Sequence, residues 1–164
     1  MKILGIVFWV LLLGGMVLVV AGQLGLLKGK APANLGVKDG RLKPPSKTPN
    51  SVSSQAGLYP DHPQKDYATI KPFEFSGDGV KAIEKLAKIL ENRERTVLVS
   101  REQDYIYAQC STSLLKFTDD MEFWLDTSAN VIQVRSSSRL GRKDFEVNRA
   151  RIESIRAAFN AAPS

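Results

Sequence analysis

The side chains that could do chemistry are concentrated between residues 119 and 156. Asp119, Asp120 and Glu122 form a tight acidic cluster, and Arg135, Arg139, Arg142, Arg149, Arg151 and Arg156 come after it. Paired carboxylates can exchange protons or hold a divalent cation, and a guanidinium grips a carboxylate or phosphate with two parallel hydrogen bonds. Other chemistries lack their parts. The sole histidine, His62, lies in a proline-rich stretch, Cys110 stands alone, and the hydroxyls at 111–113 and 136–138 have no base beside them. No glycine-rich phosphate loop occurs, no Cys/His metal site can be assembled, and no cofactor is implied.

The acidic cluster reads in two ways. Alternation along a strand places Asp119 on the face opposite Asp120 and Glu122, which fits a charged strand start. The alternative is a carboxylate-dependent hydrolase or a metal-assisted enzyme that uses Asp119–Glu122.

The elements that must position these groups can be read from periodicity. Residues 67–75 read as a strand that Pro72 restricts to an edge. Asp78 is a helix N-cap, and Val80, Ile83, Leu86, Ala87 and Leu90 form an apolar helical stripe ending near Asn92. Strands are expected at 96–101, 105–112, 120–126 and 131–137, and a last helix at about 144–159. The order strand, helix, four strands, helix predicts a two-layer α+β domain: an antiparallel sheet of about five strands with two helices on one face. Its topology is similar to the TATA-binding-protein or helix-grip arrangement.

Alternation then sorts the faces. Ile106, Ala108, Cys110, Met121, Phe123, Leu125, Ile132 and Val134 turn toward the helices. Tyr105, Tyr107, Gln109, Glu122, Trp124, Gln133 and Arg135 turn away, as an aromatic and polar surface. A four-residue loop at 127–130 pairs Asp126 with Val131, Trp124 with Gln133, and Glu122 with Arg135. That last contact reads as a cross-strand ion pair or as part of a groove for an anionic or planar ligand. On the last helix Phe145, Asn148, Ile152, Ile155 and Phe159 share a stripe. Asn148 must therefore find partners in the core, at the Gly141 turn, on a facing strand, or in a ligand. Arg139, Arg142 and Lys143 crowd the turn before this helix, Asp144 is placed to cap it, and Arg149, Arg151 and Arg156 fall on its flanks.

The front of the chain is different in kind. Residues 3–22 carry no charge, enough for a helix of about 30 Å, the thickness of a bilayer's hydrocarbon core. We read 3–27 as a transmembrane or signal anchor, its rival being a cleaved signal peptide. Residues 28–64, rich in proline, lysine and serine, read as a tether, and 65–164 as the globular domain. Residues 1–50 hold seven basic groups and one acid, whereas 51–164 hold sixteen of each. The net charge of +6 therefore belongs to the anchor and its flank, where cations meet lipid headgroups, and gives no support to nucleic-acid binding. Counting cations on either side of the anchor places the domain in the cytoplasm. A Met-Lys start leading directly into an apolar run instead resembles a signal anchor that exports the rest of the chain.

In combination, several segments resemble the family known as domain of unknown function 1499. They are Pro49-Asn50, Val52-Ser53-Ser54, Asp119-Asp120 with Glu122, Val134-Arg135-Ser136 with Ser138-Arg139, Gly141, Asp144, Asn148-Arg149 and Arg151. The resemblance covers about Leu42 to Phe159. It implies structural roles for Asn50, Ser53, Ser54, Gly141, Asp144 and Arg149. It also implies export, hence an extracytoplasmic, periplasmic domain on a single-pass anchor. Many members carry cysteines flanking the Pro-Asn motif; this chain has Pro45 and Ser51 there, so the resemblance implies no thiol function.

The sequence thus predicts a membrane-anchored, non-catalytic module that binds a small ligand, lipid headgroup or partner protein. The candidate binding residues are Arg135, Arg139, Asn148, Glu122, Tyr105, Tyr107, Trp124 and Asp120. The expected partners are membrane lipid, through residues 3–27 and their basic flank, and a membrane protein. A scaffold for a membrane complex is the remaining alternative.

Overall fold

The computed structural model describes residues 2–163. Helix α1 (Lys2–Gln23) contains one stretch, Ile3–Gln23, that is long and apolar enough to cross a membrane. Its large apolar side chains are exposed, as in a membrane span or a signal sequence.

The domain is α+β. In chain order it comprises β1 (Ser51–Ser53), a 3-10 turn at Ala56–Leu58, α2 (Lys65–Ala68), β2 (Phe73–Glu74), α3 (Gly79–Glu91), β3 (Thr96–Arg101), β4 (Tyr105–Ser111), β5 (Thr118–Asp126), β6 (Val131–Ser138) and α4 (Val147–Ala161). One antiparallel sheet runs β1-β6-β5-β4-β3, with β2 also paired to β6. Strands β1 and β2 lie end to end along the outer edge of β6, Ser51 opposite Ser137 and Phe73 opposite Ile132. The register of β5 against β6 is the expected one, with Glu122 opposite Arg135 and Trp124 opposite Gln133.

Three expectations need correction. The sheet has six strands, because Ser51–Ser53, in the stretch read as tether, forms an edge strand. Residues 67–75 are not one strand. Residues 65–68 make a single helical turn, Thr69 bridges Ser53, and Pro72, which has no N–H to donate, leaves a two-residue strand after it. Phe145 is not on the buried helix stripe. It precedes α4 in a left-handed turn and is 78 % exposed.

Helices α3 and α4 cover one face of the sheet. Ile83, Leu86 and Leu90 of α3 and Ile152, Ile155 and Phe159 of α4 pack on Ile106, Met121, Phe123, Ile132 and Val134. Phe73 joins the layers edge-on to Phe123 at 5.7 Å and to Phe159 at 5.6 Å between ring centroids. Asp78 caps α3 as expected, its carboxylate accepting from the N–H groups of Val80 at 2.8 Å and Lys81 at 3.3 Å.

Candidate functional site

The opposite face carries the polar set read from alternation, but it is not an open groove. Residues 33–46 pass over it as a strap. Glu122 is fully buried, and Asp120, Arg135 and Tyr105 are each less than a tenth exposed. Oε1 of Glu122 accepts the Gly36 N–H at 2.8 Å and the Tyr105 hydroxyl at 2.9 Å; Oε2 faces Nη1 of Arg135 at 3.5 Å. Nε of Arg135 donates to the Pro44 carbonyl at 3.3 Å. Burial lowers the Arg135 pKa, and the charges of Glu122 and Asp120 oppose that shift. Burial and the charge of Glu122 push the Tyr105 hydroxyl well above its ordinary value, so it stays a donor.

A second cell of the face lies beside the first. Arg139 grips Asp120 in a bidentate pair, Nε to Oδ2 at 2.9 Å and Nη2 to Oδ1 at 2.7 Å. Tyr107 donates to the same carboxylate at 2.6 Å and accepts from Gln109 at 2.8 Å and from Arg139 at 3.2 Å. The hydrogen bond to Asp120 is the main reason the Arg139 pKa is raised. Trp124 remains half-buried on this face, next to Tyr105 on β4 and Gln133 on β6.

Asp119 points to the helix side, as alternation requires, and meets Arg151 of α4 at 2.5 Å. Arg151 was expected on a solvated flank, yet its side chain is only 8 % exposed. It stands three residues after Asn148 and four before Ile155, on the buried stripe itself, and that spacing was the available signal. Arg149 and Arg156 staple the approach to the domain, donating to the carbonyls of Tyr67 and Thr69 and of Lys71 and Pro72. All three clustered carboxylates are therefore held by separate arginines on two faces. Among the described residues no three His, Cys, Asp or Glu side chains converge as a metal-ligand set.

Asn148 is the hub of the corner where β1, β6 and α4 meet. It is fully buried; its oxygen accepts from Ser136 at 2.5 Å and Arg151 at 3.0 Å, and its amide donates to the Asn50 carbonyl, Ser138 and Asp144. Asn50 in turn donates to the carbonyl of Gly141, whose φ of +88° belongs to a residue without a Cβ. The last helix starts at Val147 rather than near 144, so its N-cap position falls to Glu146 and not to Asp144; from two residues further back the Asp144 carboxylate still accepts the N–H groups of Glu146 and Asn148 and the Tyr67 hydroxyl. Burial pushes the Asp144 carboxyl up, but these hydrogen bonds together hold it below its ordinary value. The same tyrosine is pushed up to about 12, by burial and then by its bond to Asp144. Ser53 and Ser54 serve β1: Ser53 accepts from the Gln55 N–H, and Ser54 bonds Gln133 at 2.7 Å. The strap meets β1 where the Ser46 N–H donates to Ser51 Oγ at 2.8 Å.

A small open pocket of about 330 Å³ remains between the strap at Leu35–Val37 and Tyr105 and Tyr107, and a larger one lies elsewhere. A groove of about 840 Å³ lies on the helix side, between the end of α3, the end of β4 and the first turns of α4. Arg93, Arg95, Ser111, Thr112, Ser113 and Arg151 line it together with one carboxylate, Glu94, and Ile89, Cys110 and Val147 form an apolar wall. The Arg93 guanidinium donates hydrogen bonds to Ser154, at 3.2 and 3.3 Å, and has no carboxylate partner among the described residues. Sequence reasoning missed Arg93 and Arg95 because they sit in a tight connection between helix and strand, where no periodicity marks a face. The wall residue Cys110 was placed correctly toward the core.

The family model described as "Protein of unknown function (DUF1499)" matches residues 41–159, and the chain belongs to that family. No curated protein and no solved structure matches the chain.

Proposed function

We propose that the protein is a single-pass, membrane-tethered, non-catalytic module. In this reading it holds an anionic group, presented at the bilayer surface, in the groove between α3, β4 and α4, with the domain on the extracytoplasmic side. The observation that carries the reading is Arg93, a guanidinium on the wall of the groove of about 840 Å³ with no carboxylate partner among the described residues. Arg95 beside it pairs only with its exposed neighbour Glu94, at 3.3 Å, a contact of little strength in water. Hydroxyls at 111–113 complete a donor set suited to phosphate or carboxylate oxygens. Non-catalysis is supported by the neutralised state of Asp119, Asp120 and Glu122, none of which is free to act as a base.

The test uses the full chain in neutral-lipid nanodiscs. A ligand that binds only the folded state raises the melting temperature as its concentration rises above Kd. Inorganic phosphate and a short-chain phosphatidic acid are the two probes. Stabilisation by either, lost in the Arg93→Glu, Arg95→Glu variant, supports the reading. Stabilisation only by the lipid makes the source a headgroup, and a flat response to both rejects the groove as an anion site. External protease on spheroplasts checks the side, since an extracytoplasmic domain is digested there.

A further inference from the structure

The apolar helix and the domain meet at one end of the sheet. At that end β4 stops at Ser111, β5 starts at Thr118 and β6 stops at Ser138, so the loops 112–117 and 139–146 leave it together. The Arg139 N–H donates to the Thr118 carbonyl at 3.3 Å, which holds the loops side by side. The end of α1 is fastened to the first loop. Nε2 of Gln23 donates to the Leu114 carbonyl at 2.8 Å, and a Cβ on Gly22 would stand 2.6 Å from the Leu115 carbonyl oxygen. The chain leaving the helix then packs on the second loop, where a Cβ on Gly29 would meet Cβ of Arg139 at 2.9 Å.

These loops display what a domain in water has no use for. Leu114, Phe117, Leu140 and Phe145 are 58, 37, 45 and 78 % exposed, next to the exposed Leu24 and Leu26. Phe145 is held outward against its own backbone preference. It has a φ of +52°, and Glu146 next to it has a φ of +64°. Such strain persists only where surrounding contacts enforce it. Here the Asp144 N–H is bound to the Pro49 carbonyl, and the Asp144 carboxylate takes the Glu146 N–H. Around the apolar groups lie Lys28, Lys30, Lys116, Arg142 and Lys143, none of which pairs with a carboxylate among the described residues. The acids on these segments are the buried Asp144 and the exposed Glu146.

We infer that this end of the domain is a membrane-docking face. Leu114, Phe117, Leu140 and Phe145 enter the interfacial layer of a bilayer with anionic headgroups, and the five cations bind those headgroups. Continuity with α1 identifies the occupant. If α1 spans the bilayer, its last residue lies at the edge of the hydrocarbon core, and loops bonded to that residue lie within the ~5–10 Å that interfacial side chains penetrate. Unpaired cations around an apolar patch complement an anionic surface. The inference rests on α1 spanning the membrane, and the experiment separates the two.

The full chain carrying Cys110→Ser receives one environment-sensitive fluorophore at a time, through Leu13→Cys, Leu114→Cys, Phe145→Cys or Ser128→Cys. It is placed in phosphatidylcholine and phosphatidylglycerol vesicles containing doxyl-labelled lipid. Ser128 lies in the hairpin at the opposite end of the sheet. Labels at 114 and 145 are expected to be quenched at least half as strongly as that at 13, with no quenching at 128. Lys116→Glu with Lys143→Glu is expected to remove at least half the quenching at 145. Raising salt from about 0.1 to about 1 M, which shortens the Debye length from ~10 to ~3 Å, should loosen the contact in the same way. Labels at 114 and 145 that behave like 128 while 13 is quenched overturn the docking face and leave the span intact. An unquenched label at 13 overturns the span and the docking face together. Loops exposed in vesicles yet protected in native membranes would assign the face to a protein and overturn the lipid assignment.

Discussion

Gly36 donates its backbone N–H to Oε1 of Glu122 at 2.8 Å, although 86 residues separate them in the chain. Through this bond the segment leaving the apolar helix α1 becomes the roof of the sheet's polar face, and Glu122, read as a surface group, becomes fully buried.

The account predicts that Glu122→Gln destabilises the domain by about 3–5 kcal/mol, because Arg135 is left as an uncompensated buried charge. The double variant Glu122→Gln, Arg135→Met removes both charges and should recover most of that loss. Denaturant titration of the full chain in micelles measures both. Limited proteolysis within residues 33–46 should quicken in the single variant, since its strap has lost the charge-assisted bond that holds Gly36.

Asn148 bonds five partners from the centre of the β1, β6 and α4 corner. Asn148→Leu matches its bulk but leaves the buried Ser136 hydroxyl without a partner and the Asp144 and Arg151 side chains each short of one, while the Asn50 carbonyl keeps the Ser138 N–H. A cost of about 1–3 kcal/mol is expected for each buried group left without a partner. A melting curve within a few degrees of the parent would show that the corner does not depend on this amide.

The Tyr67–Asp144 contact contributes to the pH dependence of stability at both ends, alongside Asp126 on the acid side and Tyr105 and Tyr107 on the alkaline side. Asp144 is held below the ordinary carboxylate range, so its contribution is complete above about pH 4 and is lost as pH falls through its lowered folded value. Tyr67 is raised to about 12, so its contribution is complete below its ordinary pKa of about 10 and is lost as pH rises toward 12. Asp144→Asn should flatten the acid limb of a plot of melting temperature against pH, and Tyr67→Phe the alkaline limb.

Much of this was legible in the sequence where one rule governs one face. The strands from Thr96 to Ser138, their inward apolar sets and the Glu122–Arg135 register can be derived from period-two alternation and a four-residue loop. Helix α3 can be derived from its stripe and the Asp78 cap. Alternation tells which face is apolar but not whether the other face is wet, so burial of Asp120, Glu122 and Arg135 beneath the strap was not readable. Strand β1 was hidden because Ser51–Ser53 is short and mostly polar, and because it joins the sheet only through β6, far along the chain. Phe145 misled because its spacing fits the helix stripe while its left-handed backbone puts it outside the helix.

The groove and the roofed polar face make opposite demands on one spectrum. With the full chain isotopically labelled in nanodiscs, phosphatidic acid is introduced into neutral lipid and the amide and guanidinium resonances are tracked. The account predicts shifts at Arg93, Arg95 and Ser111 to Ser113, with the Arg135 and Arg139 guanidinium signals unmoved. Shifts at Arg135 and Arg139 with none at Arg93 and Arg95 would contradict it, and would mean that the strap opens to bind the ligand.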